Sequence, residues 1–148
     1  MSEQRNRPGY RIPYPDDPYE LYVGPFWTPD TPEPDGTVTL RVERRHCNGS
    51  GAVHGGMLAT MADLAVCWVA VMDLPDERVV TVSLTNDYLS GALEGETLVA
   101  KPELVRRTGS LAFVRCEIRA FGETVDDPAG RVVATSSAVL KRMRRTPR

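Results

Sequence analysis

Alternating apolar and polar positions mark five stretches of this chain as strands, and one apolar block between them as a helix. In Thr37–Glu43, Val38, Leu40 and Val42 alternate with Thr39, Arg41 and Glu43, the period of a half-buried strand. Val79–Leu89 sets Val80, Val82 and Leu84 against Thr81, Ser83 and Thr85. Leu111–Ala120 sets Ala112, Val114, Cys116 and Ile118 against Phe113, Arg115, Glu117 and Arg119, and Arg131–Leu140 reads as the last strand. Glu96–Arg106 is broken by Pro102, which lacks the N–H a ladder needs and so predicts an edge position or a bulge. Met57–Met72 differs from all of these. Apolar or small residues recur on nearly every helical face, which predicts an enclosed helix that ends before Pro75. Gly91–Gly95, Thr108–Gly109 and Asp126–Gly130 supply turns. A strand, a long helix and a run of antiparallel strands make an α+β order, and a helix apolar all round fits a sheet curled about it.

Composition narrows the setting. A length of 148 residues suggests one domain. Residues 1–34 hold 8 of the 12 prolines and 6 of the 10 aromatics. Residues 1–35 are therefore expected to form an irregular arm pinned to a surface by Tyr10, Tyr14, Tyr19, Tyr22, Phe26 and Trp27. The domain proper is expected over 36–142, with a basic, solvated tail over 143–148. A net charge of −2 gives no argument for nucleic acid or an anionic membrane. No apolar run approaches the roughly 20 residues that span a bilayer, and MSEQRNRPGY has no apolar signal core. Cys47, Cys67 and Cys116 are odd in number and lack CxxC spacing, which points to free thiols and a cytoplasmic location.

The candidate chemistry is concentrated in Asn48–Asp63, a Gly-rich loop with one His that runs into the apolar helix. A helix N-terminus offers unpaired N–H groups and partial positive charge, so Gly55 can present its N–H to an oxygen gaining negative charge, and Gly56 lets the backbone approach a ligand. The same glycines also suit a plain loop-to-helix turn. Asp63 is the only acid between Glu43 and Asp73, and Ala59, Thr60, Val66 and Cys67 lie one turn either side of it. A carboxylate there can attack a thioester or act as general base on water, or it can be a buried Asp held by Thr or backbone donors. Thr81 can hold Asp63 or a water, or be an ordinary strand residue. His54 and Asp63 are nine residues apart, which on a helix is about 180° and roughly 13 Å. If both serve one carbonyl, the site lies between two chains of a homodimer. Arg106 and Arg107 can meet phosphates or form a solvated hairpin end. His46, Cys47 and His54 lack paired-ligand spacing and a fourth ligand, so no metal is expected. Dinucleotide, P-loop and Gly-x-Ser-x-Gly patterns are missing, so neither a cofactor nor a serine triad is expected.

Asn48, His54-Gly55-Gly56 and Asp63, with the later stretches Val79–Ala100 and Arg106–Ile118, resemble the PaaI-type and acyl-CoA thioesterase 13-like thioesterases of the hotdog fold. The resemblance covers about residues 36–142. It implies an antiparallel sheet of five to six strands around one helix, a two-chain dimer and often a dimer of dimers. It implies hydrolysis of an acyl-CoA to free acid and CoA. Asp63 matches the nucleophile or base, Gly55 the oxyanion donor, Asn48 and His54 the groups that orient thioester or water, and Thr81 a water-placing hydroxyl. Gly56, Arg106 and Arg107 are weaker substrate-binding candidates. The family pattern takes His54 and Gly55 from one chain and Asp63 and Thr81 from the other, in agreement with the helix spacing. The arm before residue 36 lies outside it and is expected to cover a sheet edge or shape the acyl tunnel. A non-catalytic acyl-CoA-binding module and a hotdog dehydratase or hydratase are the alternatives.

Overall fold

Strand alternation and the enclosed helix fit together in a sheet that curls around that helix. The computed structural model describes residues 7–32, 34–122 and 128–146. In chain order the elements are β1 (Tyr10–Arg11), α1 (Pro18–Val23), β2 (Thr28–Pro29), β3 (Val38–Arg41), α2 (Gly55–Val71), β4 (Glu77–Tyr88), β5 (Thr97–Arg107), β6 (Leu111–Phe121) and β7 (Arg131–Arg144). β3, β5, β6, β7 and β4 form one antiparallel sheet in that order, so α2 sits between the two edge strands in sequence. Leu98, Ala100, Ala112, Val114, Ile118, Ala120, Ala138 and Leu140 face inward and pack with Leu58, Met61, Ala62, Ala65 and Val66 of α2. Four of those eight sheet residues are alanines, which leave room on the concave face for a helix. This is the expected α+β hotdog architecture.

β4 departs from the simple alternation, for a local reason. A bulge between Thr81 and Ser83 resets its register. Thr81, opposite Leu140, turns toward α2, while Ser83 and Thr85 point outward. Val80 and Val82 are exposed, at 46% and 62%, although the alternation groups them with inward Leu84. Pro102 is explained by β3 being short: β3 pairs only with Thr97–Ala100, so β5 is already an edge at Pro102, and a bulge follows at Leu104–Arg106.

The arm is more regular than its prolines predict. Asp17 Oδ1 accepts the N–H groups of Tyr19 and Glu20, both at 3.0 Å, and Pro18 takes the first helical position, so α1 forms despite its short length. Phe26 is buried in the core, and Trp27 exchanges backbone bonds with Thr39 at 2.9 and 2.7 Å. The arm thus shields the open side of β3. Gly36 makes the close approach possible: its φ is +79°, and a Cβ there would sit 2.8 Å from Val69. Among the described residues, β4 is left as the uncovered edge of the sheet.

The expected solvated tail is also corrected. β7 runs on to Arg144, Arg142 grips both Glu77 oxygens at 2.9 and 2.8 Å, and the Arg145 N–H reaches the Asp76 carbonyl at 2.8 Å. The domain therefore extends past 142. Residues 1–6 and Glu33 of the arm, Asp126 and Asp127 of the predicted turn, and Pro147 and Arg148 of the tail lie outside the described residues. Among the described residues no helix is long and apolar enough to cross a membrane.

Candidate active site

The start of α2 is built by its own loop. Asn48 Oδ1 accepts from the Ser50 N–H at 2.9 Å and the Ser50 hydroxyl at 2.6 Å, and Asn48 N–H donates to the Ala52 carbonyl at 2.7 Å. The Asn48 side-chain oxygen is therefore spent on the loop, and its amide N–H groups remain as donors. His54 is the N-cap of α2, its Nδ1 accepting the Gly56 N–H at 2.9 Å. That bond occupies Gly56 and leaves the Gly55 N–H without a partner among the described residues. A Cβ at Gly56 would approach His54 Nδ1 to 3.0 Å, which keeps that position small.

Asp63 lies two turns further along. Thr81 Oγ1 donates to Asp63 Oδ1 at 2.6 Å, and Cys67 Sγ lies 3.5 Å from the same hydroxyl. The β4 bulge is what turns Thr81 to this task. One Asp63 oxygen is thus held, and Oδ2 makes no hydrogen bond among the described residues. Burial pushes the Cys67 thiol up to about 12, so Cys67 is no thiolate nucleophile at neutral pH.

The other predicted groups fall elsewhere within the chain. Arg107 makes a two-bond pair with Asp73, at 3.2 and 2.7 Å, beyond the C-terminal end of α2. Arg106 is exposed on the outer face of the sheet, where it borders a groove of about 450 Å³ with Arg115, Val105, Phe113, Ser83 and Thr85. The sheet separates that groove from α2, so it is not the space beside Asp63.

His46 has a structural role. It is 3% exposed, accepts the Glu43 N–H at Nδ1 (2.9 Å) and donates from Nε2 to the Val23 carbonyl (2.9 Å). Arg45 reaches the Tyr22 carbonyl at 2.7 Å and also the Gly24 carbonyl. The His54 N–H then donates to the His46 carbonyl at 2.9 Å, which ties the arm to the start of α2. Burial, followed by the charge of Arg45, holds the His46 pKa below its usual 6.5. A depressed His pKa contributes stability above the unfolded value, lost as pH falls through 6.5 toward the folded value. The urea midpoint of His46→Gln should therefore lie furthest below that of the unaltered protein at pH 7, by about 1–3 kcal/mol, and approach it at pH 5, where the raised Glu20 pKa acts on both proteins alike.

Sequence reasoning named Tyr14 and Tyr19 only as rings that pin the arm, and it missed Glu20. Tyr19 Oη lies 3.2 Å from Thr60 Oγ1, and the Tyr14 ring meets Trp68 edge-on at 5.7 Å. Glu20 Oε2 is buried without a hydrogen-bond partner among the described residues. Burial, then Asp17 and Asp63, pushes its pKa up to about 8. A signal was present in Asp17-Pro18-Tyr19-Glu20, a capping residue, a first-turn proline and an acid.

The thioesterase superfamily profile matches residues 50–126. The chain is 30% identical over 119 residues to an inferred esterase of Pseudomonas aeruginosa, covering 80% of this chain and 83% of that one. This chain belongs to the thioesterase superfamily. It is also 28% identical over 79 residues to acyl-coenzyme A thioesterase 13 of Mus musculus, covering 53% of this chain and 56% of that protein. Among solved structures, the Escherichia coli PaaI protein of the phenylacetic acid degradation operon superposes with a TM-score of 0.72 at 21% identity, over 88% of this chain and 87% of the other. The fold is the hotdog fold of the PaaI protein.

Proposed function

We propose that this protein hydrolyses an acyl-CoA to the free acid and CoA, at sites shared between two copies of the chain. The observation that carries the reading is the 2.6 Å Thr81–Asp63 bond, which holds a carboxylate on the helix whose first N–H, at Gly55, has no partner among the described residues. Thr81 fixes one carboxylate oxygen and leaves the other to attack the thioester carbonyl or to take a proton from water. The Gly55 N–H and the dipole of α2 stabilise the oxyanion as it forms. His54 caps that N-terminus, and the Asn48 amide, which donates to nothing among the described residues, is a second donor for the thioester or the water. Acyl-coenzyme A thioesterase 13 carries this chemistry in its name, which supports the reading.

Geometry favours the shared site. Gly55 and Asp63 are eight residues apart, about 12 Å along a helix, too far for one chain to serve both sides of one carbonyl. β4 touches both ends: the Tyr88 ring would lie 3.6 Å from a Cβ at Gly55, and Thr81 holds Asp63. Two-fold antiparallel pairing of this open edge brings the partner's Gly55 toward Asp63, and it covers the exposed Val80 and Val82. Free thiol released from short, long and aryl acyl-CoAs tests the activity. Val82→Arg should shift the protein from dimer to monomer in light scattering and remove thiol release with it. A fully active monomer refutes the shared site.

A further inference from the structure

The arm brings a second carboxyl, Glu20, to the side of α2 where Thr60 lies one turn from Asp63, and its surroundings suit a proton donor. α1 is fastened to α2 by the Tyr19–Thr60 contact, one turn from Asp63, and by the edge-on Tyr14–Trp68 pair. At its other end it is fastened by Arg45 and His46, whose loop also holds His54. Glu20 is therefore held in place. Its Oε2 is buried, no partner satisfies it among the described residues, and a charged carboxylate so placed is costly. The groups facing it are Asp17 and Tyr14 on the arm and Asp63 and Cys67 on α2. Arg11, stacked on Trp68, and Arg145, bonded to the Glu77 carbonyl, lie toward the far end of α2 and do not neutralise it. Glu20 thus sits on a segment docked beside the helix that carries Asp63.

Building on the hydrolase reading, we propose that Glu20 is the acid that protonates the departing CoA sulfur. Water adds to the thioester carbonyl as Asp63 takes its proton. The C–S bond then breaks, its electron pair goes to sulfur, and the Glu20 O–H proton follows it there. The proton on Asp63 returns to Glu20, the product acid gives its own proton to solvent, and both side chains are restored. The acid form is the working form, and with a pKa of about 8 it is the main form at neutral pH.

The test compares two leaving groups with one acyl group: an acyl-CoA, whose thiolate is basic, and the matching acyl-thionitrobenzoate, whose thiolate leaves without a proton. Glu20→Gln should lower kcat/KM for the CoA ester by about 10²-fold or more and leave the activated ester within about twofold. In the unaltered protein, turnover of the CoA ester should fall as pH rises through about 8, while that of the activated ester should not. This pH arm needs no variant, so it stands even if Glu20→Gln fails to fold. Equal pH profiles for both esters, or an unchanged CoA-ester rate in folded Glu20→Gln, overturn the role of Glu20 and leave the hydrolase reading standing. No thiol release from either ester by the unaltered protein overturns both.

Discussion

Asp63→Asn should reduce acyl-CoA hydrolysis by about 10²–10⁴-fold with the fold and dimer intact. The substitution removes the charge and the basicity but keeps the shape. The new side-chain oxygen still accepts the Thr81 hydroxyl, which bonds Asp63 at 2.6 Å, so the α2–β4 contact survives. Thermal unfolding and light scattering should match the unaltered protein, which separates loss of chemistry from loss of structure. Near-normal kcat in Asp63→Asn removes Asp63 from the mechanism. The unaltered protein decides between the two roles of the carboxylate. Direct attack makes an acyl anhydride at Asp63, and hydrolysis at the enzyme carbonyl in ¹⁸O-water leaves label in that side chain. Base catalysis puts label only in the released acid. Cys67 offers no substitute nucleophile, since burial keeps its thiol protonated up to about 12.

How far this was legible in the sequence depends on the range of the forces involved. The helix predicted over Met57–Met72 is observed over Gly55–Val71, because an apolar surface on all sides leaves a helix only one place to go. The long strands follow their alternation wherever one face is buried. β4 is the exception, since a bulge costs one residue and leaves no mark in the pattern. That same bulge turns Thr81 from an ordinary strand residue into the partner of Asp63. Pro102 reads correctly as an edge or bulge, because a missing N–H is a local fact. The arm is the least legible segment. Eight prolines suggest irregularity, yet Asp17 and Pro18 start a helical turn, and Trp27 finds the free edge of β3. The docking of that turn and of Trp27 depends on contacts far away in sequence, such as Tyr19 with Thr60 and Tyr14 with Trp68. His46 likewise becomes a strut only once Val23 is near.

Mixing two inactive variants should restore hydrolysis if each site takes its oxyanion donor from one chain and its carboxylate from the other. Gly55→Pro is suited to removing the donor. Gly55 is the first residue of α2, where proline is well tolerated, and His54 before it has φ −63° and ψ 135°, a conformation that proline accepts in its predecessor. The added ring meets Tyr88 at ordinary contact, 3.6 Å from the Cβ position. The helix should persist while the N–H is lost, and kcat should drop by about 10²–10³-fold. A heterodimer of Gly55→Pro and Asp63→Asn chains has one site with both defects and one with neither. Random assortment of equal amounts makes about half the dimers mixed, so activity should recover to about a quarter of the unaltered level. Tagging the two chains differently lets the mixed dimer be isolated, and its activity should then be about half. Mixed dimers as inactive as either parent would place Gly55 and Asp63 in service of different carbonyls and confine each site to one chain. Recovery at the expected fraction is difficult to produce any other way, because neither parent chain carries both groups.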